Sequence, residues 1–356
     1  MNNNFLHGVR KRLKTEVFSR SLVGCFPGFA VPCLAALLLC FAGSCSTGEA
    51  AGQILGMSSA GPPVLLEYKV PGPAEIEFRF SLPVKVLSLN LSPDPGVASV
   101  EEGAEVRVHL VEAGPGGERI TADLLVEDEA GNTLNVLVPL RTRNTRLPPL
   151  LITEMRTEVR KPQGEYVEFK TLAAGNLGAL RLFIASNPKN PLIYEFPPVE
   201  VAAGEYILIH LRNYEAETAD ETGTNLNLSG GTDAVAGVRD FWAAGTEERF
   251  RKTDMVYFLD QDDRVIDAVV FSETAGSWWN KGALAETAEF LFTQGAFTSP
   301  GGGVCGPTEA VQDTIKSAMT SSIARDETMA DSNTAADWFI APANQHTPGK
   351  KNNPRP

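Results

Sequence analysis

From residue 74 the chain alternates apolar and polar residues with a period of two. In "AEIEFRFSLPV", Ala74, Ile76, Phe78, Phe80 and Leu82 interleave with Glu75, Glu77, Arg79 and Ser81. Successive side chains of a strand point to opposite faces, so this pattern predicts a strand with one buried face and rules out a helix there. Leu87, Leu89 and Leu91 repeat it, as do Val106, Val108 and Leu110, each run ended by Pro or Gly. "ADLLVEDEAGNTLNVLVPL" reads as two strands joined at Ala130-Gly131-Asn132, where Gly and Asn tolerate positive φ. Short strands at this spacing, over 356 residues, predict an all-β protein with about two cores.

The first 44 residues are of another kind. Arg10, Lys11, Arg12, Lys14 and Arg20 precede an apolar stretch, Leu22 to Ala42, interrupted by Pro27 and Pro32. A basic region followed by an apolar one reads as an export signal. Its end, Phe41-Ala42-Gly43-Ser44-Cys45, resembles the lipobox of bacterial lipoproteins, with Ala42 where the commonest pattern has Leu. The resemblance implies cleavage after residue 44 and acylation of Cys45, since Gly43 and Ser44 are small whereas Leu39, before Cys40, is bulky. A plain secretory signal and an uncleaved anchor are the alternative readings. Removal of 1–44 leaves Cys45 and Cys305 as the cysteines, so no intramolecular disulfide is expected beside an acylated Cys45. Cys305 lies in "SPGGGVCGP" with no histidine near it and reads as an inert loop thiol.

Residues 45–61, rich in Ser, Gly and Ala, read as a lipid-tethered spacer. Residues 62–144 follow as the first sandwich. Its "F-S-x-P-V" and "DEAGNTL" stretches resemble bacterial Ig-like modules. "RTRNTRLPP" then breaks the pattern, and the linker is placed at 145–149, because proline fixes φ and extends its predecessor. Residues 150–352 resemble the lamin-tail domain, an Ig-like β-sandwich, with 353–356 as a tail. The residues that carry this resemblance are Ile152-Thr153-Glu154, Tyr166-Val167-Glu168-Phe169, Ala203-Gly204-Glu205-Tyr206, Arg325, Asp331-Ser332-Asn333, Ala336-Asp337-Trp338, Thr347-Pro348-Gly349 and Asn352, in the family's order. Inserts near 213–250 and 275–320 exceed the usual loops between sandwich strands. The expected fold is therefore two Ig-like β-sandwiches in tandem after a lipoprotein signal peptide, with one or two short helices in the inserts of the second. One helix is expected over Thr308 to Arg325, where Val311, Ile315, Met319 and Ile323 recur at steps of four.

Signals for chemistry are sparse. His109, His210 and His346 are scattered, and H-E-x-x-H, G-x-S-x-G and clustered Cys/His ligands are missing from the sequence. Glu165 and Glu168, an odd number apart, should point to opposite faces of a strand rather than form a glycosidase pair. Asp260, Asp262, Asp263 and Asp267 lack an EF-hand's fifth-position oxygen and sixth-position Gly, with Arg264 and Val265 standing there, and read as turn acids kept in water. Asp331 and Asn333 read as loop caps ahead of Trp338. No catalytic residue, metal site or cofactor is expected. A net charge of −13, more negative still without the five bases and one acid of the leader, disfavours nucleic acid.

Trp242, Trp278 and Trp279, three of the four tryptophans, lie in the inserts. Loop aromatics can anchor a partner or act as lids on a sandwich end. The expected role is a non-catalytic, lipid-anchored lipoprotein of the bacterial cell envelope, facing periplasm or exterior, with structural, adhesion or scaffolding contacts to a protein partner. No small-molecule substrate is expected. The alternative is an accessory ligand- or polymer-binding subunit that serves an exported enzyme.

Overall fold

A computed structural model describes residues 61–186, 191–273, 276, 278–312 and 320–356. The leader, Cys45 and most of the spacer lie outside the described residues. The chain divides into two compact units. The first holds Glu75–Glu112, Ile120–Leu140 and the described end of Met1–Pro71, and the second holds Arg141–Pro356 with Gly72–Ala74 and Ala113–Arg119. The architecture is all-β and sandwich-type, with a short helix in the second unit.

In the first unit, strands β1 (Leu65–Gly72), β2 (Glu75–Ser92), β3 (Val97–Glu101), β4 (Gly103–Leu110), β5 (Arg119–Asp128) and β6 (Thr133–Arg141) form one sheet in the order β3-β4-β2-β5-β6, with β1 also paired to β2. The period of two is borne out in burial. Ile76, Phe78, Phe80, Val106, Val108, Leu124, Val126 and Val138 are all buried, and the residues between them are mostly open to water. β2 changes partner along its length, pairing Glu75 to Arg79 with β4 and Val84 to Ser92 chiefly with β5. Pro83 stands between these two stretches. Having no N–H, it cannot give a ladder bond at the point where the register breaks. The β5–β6 turn is tied by Asp128, whose carboxylate accepts from the N–H groups of Ala130 (2.9 Å) and Asn132 (2.8 Å) and from the Asn132 amide (2.9 Å). Gly131 sits there at φ +83°, in the left-handed region that glycine enters without a Cβ clash.

The second unit continues with β7 (Leu150–Arg156), β8 (Tyr166–Thr171), β9 (Gly175–Asn176), β10 (Arg181–Ile184), β11 (Leu192–Glu195), β12 (Glu200–Val201), β13 (Tyr206–His210), β14 (Arg239–Trp242), β15 (Asp254–Leu259), β16 (Val265–Phe271), helix α1 (Gly282–Thr293), β17 (Ser322–Arg325) and β18 (Trp338–Ala341). One sheet runs β14-β13-β8-β7-β17-β18 and another β11-β10-β15-β16, with β12-β9 as a small ribbon. The core between them takes Ile152, Val167, Phe169, Ile207 and Ile209 from the first sheet and Leu182, Val256, Phe258, Val269 and Phe271 from the second. Phe169 and Phe258 meet edge to face with ring centres 5.0 Å apart.

β15 is buried on both faces. Val256 and Phe258 point into the sandwich, while Met255, Tyr257 and Leu259 point outward under α1, against Leu284, Ala288 and Leu291. Residues 282–310 of the insert near 275–320 thus form a covering layer, which explains the unbroken apolar run "MVYFL". The helix expected over Thr308–Arg325 is corrected at its two ends, and residues 313–319 between them lie outside the described residues. Val311 makes a parallel bridge to Phe271, and Ile323 lies in β17 between β18 and β7. Ile315 and Met319 lie outside the described residues.

Candidate functional site

One set of buried polar groups in the second unit lies on the outer face of the β7–β8–β17 sheet. Glu154 on β7 and Glu168 on β8 are direct cross-strand partners, and both are wholly buried. They are buried because the end of the chain crosses over them. Glu154 accepts from Ser322 Oγ (2.5 Å), Tyr166 OH (2.8 Å) and Thr347 N–H (3.0 Å), and Glu168 from Thr153 Oγ1 (2.6 Å) and Gly349 N–H (2.5 Å). Asn352 completes the clasp, its amide donating to the Thr153 carbonyl at 2.8 Å and its N–H to Glu327 at 2.8 Å. Burial pushes Glu168 well above the usual carboxylate range, with the neighbouring Glu154 adding to the rise. Glu154 is raised too, by burial, against the pull of Ser322 and Tyr166. The buried Tyr166 hydroxyl moves the same way, first through burial and then through Glu154. These groups are locked donor to acceptor, an arrangement that holds a strap in place.

Beside the clasp lies a second network. The Arg325 guanidinium, 4% exposed, donates to the Ile152 carbonyl (2.7 Å), Asp331 (2.7 Å) and Asp267 (3.0 Å), with its carbon 4.6 Å from the centre of the Trp338 ring. Asp267 also accepts from Ile152 N–H at 2.6 Å. Its reading as a turn acid kept in water is corrected: it is buried, and burial pushes its carboxyl up to about 6 despite Arg325. The other turn acids form caps and pairs. Asp260 accepts from Asp262 N–H and Arg264 N–H, Asp262 pairs with Arg143, and Asp263 with Arg181. Asp331 caps locally by accepting from Asn333 N–H, the Asn333 side chain instead donates to the Gly295 carbonyl just past α1, and Asp337 accepts from Ser332 N–H within a capping box begun by Thr334.

A cleft of about 140 Å³ opens between these networks, lined by Lys170, Leu172, Arg325, Glu327, Met329 and Asp331 among others. Lys170 and Tyr206 OH both reach Glu327, at 3.4 and 2.7 Å. Among the described residues no group of three or more His, Cys, Asp or Glu is placed to hold a metal ion.

The insert near 213–250 is ordered by acids that accept from loop amides. Glu221 accepts from Leu228 N–H and Asp240 N–H, and Asp240 from Val235 N–H. Glu165 binds Arg212 at 2.7 and 2.8 Å and accepts from Arg249 and Phe250 N–H. Glu165 and Glu168 therefore serve separate networks. His210 is buried, 2.8 Å from Asp240 through Nε2, and Trp242 stacks on it with ring centres 3.9 Å apart. Trp242 donates its indole N–H to Ser229 Oγ at 2.7 Å, so this tryptophan is seated as a lid. His109 is half-exposed, 3.4 Å from Glu101.

The neighbouring pair Trp278 and Trp279 divides in role. Trp279 donates to the Cys305 carbonyl at 3.1 Å and packs on the α1 layer, whereas Trp278 is 84% exposed. Cys305 itself is buried in that layer, which pushes its thiol up to about 12. Among the described residues no helix is long and apolar enough to cross a membrane.

Fold and site together define an all-β protein whose second unit is a sandwich covered by a helix and fastened by a carboxylate-bound C-terminal strap. Residues 148–340, more than half of the chain, match the family model described as "TP_1001_2nd: protein second domain", and the chain belongs to that family. A protein of Treponema pallidum (strain Nichols), described as uncharacterized, is 25% identical over 159 residues, which cover 44% of this chain and 40% of the relative. The chain thus spans well under half the length of that relative. No solved structure matches.

Proposed function

We propose that the protein is a non-catalytic lipoprotein of the bacterial cell envelope, tethered through an acylated Cys45, that works as a structural, adhesion or scaffolding module by protein contacts. Its two units are, in this reading, an Ig-like module and a lamin-tail-like sandwich. The observation that carries the proposal is the tryptophan pair. Trp279 is pinned to the Cys305 carbonyl and holds the 84% exposed Trp278 outward. A large aromatic surface on a fixed base loses little entropy on binding, and tryptophan is enriched among residues that dominate protein interfaces. The carboxylates support the same reading, because Glu154, Glu165, Glu168 and Asp267 are committed to amide, hydroxyl and guanidinium donors of the fold.

Two measurements on the full chain test this. The mass of the membrane-extracted protein should correspond to a chain that starts at residue 45 and carries acyl groups, and Cys45→Ala should abolish both membrane retention and the added mass. A photo-reactive residue at position 278 should give a discrete protein adduct in cells, where one at the exposed Leu137 gives none. An unmodified chain cut elsewhere refutes the tether, and equal labelling from both positions refutes the contact.

The small charged cleft favours a second reading, an accessory subunit that presents a ligand or polymer to an exported enzyme. At about 140 Å³ it is below the roughly 300–1,000 Å³ of sites for whole small molecules and suits one side chain or sugar substituent.

A further inference from the structure

Among the described residues, the first unit presents a strand that is open on its outer side. Among the described residues β1 pairs with β2 alone, and most of its residues are exposed or half-buried on both faces. Its two charged side chains lie on one face: Glu67 binds Arg79 at 2.8 Å and Lys69 binds Glu77 at 2.5 Å, both on β2. By alternation Leu66, Tyr68 and Val70 lie on the other face. Leu66 and Tyr68 are 45% and 40% exposed there. An open strand edge is a template for another strand, and proteins normally blunt it with charge. Here the charges are arranged so that they match a copy of themselves.

We propose that β1 is a self-association edge, on which a second copy of this chain adds its own β1 antiparallel across a two-fold axis through Tyr68. The register follows from charge. Residues directly opposite in an antiparallel pair have matching edge orientation, so a symmetric pair must centre on a residue and not between two. Centring on Glu67 sets Glu67 against itself, and centring on Lys69 sets two lysines together. Centring on Tyr68 sets Glu67 against Lys69 of the second copy, twice, and Leu66 against Val70, twice, with the two tyrosines meeting at the axis. Opposite charges and aromatic or aliphatic pairs directly across a ladder are favourable, and like charges are not. The existing bonds to Arg79 and Glu77 can stay, because Glu67 and Lys69 keep about half of their side-chain surface open. The result is one sheet continuous through both copies, without rearrangement of β2.

The test uses the full chain extracted in detergent, prepared as a mixture of light and 15N-labelled protein, with a photo-reactive phenylalanine analogue at position 68. The expected product is a mixed-isotope adduct that joins residue 68 of one copy to residues 66–70 of another. Tyr68→Lys, which leaves both ion pairs to β2 in place but sets two lysines together at the axis, should weaken self-association at least tenfold in sedimentation equilibrium. Adducts only to a different protein, adducts mapping away from β1, or self-association unchanged in Tyr68→Lys overturn the proposal. A single-chain mass at tens of micromolar, with no mixed-isotope adduct, overturns it equally.

Discussion

Glu154 and Glu168 lie directly opposite each other on β7 and β8, and each holds a backbone N–H of the same chain end, Thr347 for the first and Gly349 for the second. Two carboxylates side by side in a buried place are expensive in electrostatic terms. They persist because the strap, two hydroxyls of threonine and serine and the Tyr166 phenol supply donors. The clasp therefore couples the sheet to residues nearly two hundred positions later.

Their donors differ in number, so their variants should differ in cost. Glu168→Gln keeps a carbonyl oxygen as acceptor for the Thr153 hydroxyl or Gly349 N–H and removes one of two adjacent buried carboxylates, so it should cost less than about 1 kcal/mol. Glu154→Ala leaves the Ser322 and Tyr166 hydroxyls and Thr347 N–H without their acceptor and should cost about 3 kcal/mol. Urea denaturation measures both, and hydrogen exchange should show residues 344–352 opening first in Glu154→Ala. Equal costs for the two variants would sink this account.

The second carboxylate network gives a contrast in sign. Asp267→Ala removes one of the carboxylates that hold the buried Arg325 guanidinium, leaving Asp331, and takes the acceptor from Ile152 N–H, which should cost about 1.5–3 kcal/mol. Replacing both, Asp267→Ala with Arg325→Met, should recover part of that loss. A double variant as unstable as the sum of its singles, measured in a denaturant cycle, refutes the coupling.

Strands were legible where burial is local. β2, β4, β5 and β6 follow the period of two because one face of each meets the core and the other meets water. The expected helix fails at its ends because steps of four residues satisfy both a helical face and the even spacing of a strand, so Val311 and Ile323 fit either. α1 does carry the helical signature, with Leu284, Thr287, Ala288 and Leu291 buried at helical spacing, but Lys281 at its N-cap gives no side-chain cap. Asp267 was readable too, since it shares its parity with Val269 and Phe271, which point into the core. Glu154 and Glu168 were not readable, because what buries them is the strap, far away in sequence. The lipid tether and its Cys45 belong to residues outside the described part of the structure.

Stability should fall as pH rises through the weakly acid range. Asp254 and Asp267 are each pushed up to about 6 by burial, from 3.8, so the folded chain holds protons that the unfolded chain has released. Their contribution is fully present below about pH 4, declines between 4 and 6, and is constant above. Asp254 is the cleaner probe, since it accepts from the backbone N–H groups of Ser186, Met255 and Arg251 and from the Ser186 side chain, all of them uncharged. The thermal midpoint should be higher at pH 5 than at pH 7.5, and Asp254→Asn should flatten that slope. An unchanged slope in the variant would falsify the assignment.

In the first unit the Asp128 turn is the point most sensitive to small changes. The carboxylate lies below its ordinary range, chiefly because the Asn132 amide binds it, with three backbone N–H groups helping. Asp128→Ala should cost about 1–2 kcal/mol, and Gly131→Val a similar amount through its positive φ. Proteolysis within 128–133 should rise in both variants while the second unit keeps its protection.

The tryptophan pair separates stability from contact. Trp279→Ala removes packing from the α1 layer and the bond to the Cys305 carbonyl, and should cost about 2–4 kcal/mol. Trp278→Ala, at 84% exposure, should change stability by less than about 0.5 kcal/mol. Its emission should be red-shifted and quenched by acrylamide in the free protein, and a bound partner should shield it. A variant at 278 that folds normally and still gives full partner adducts from a neighbouring probe would move the contact surface elsewhere on the molecule.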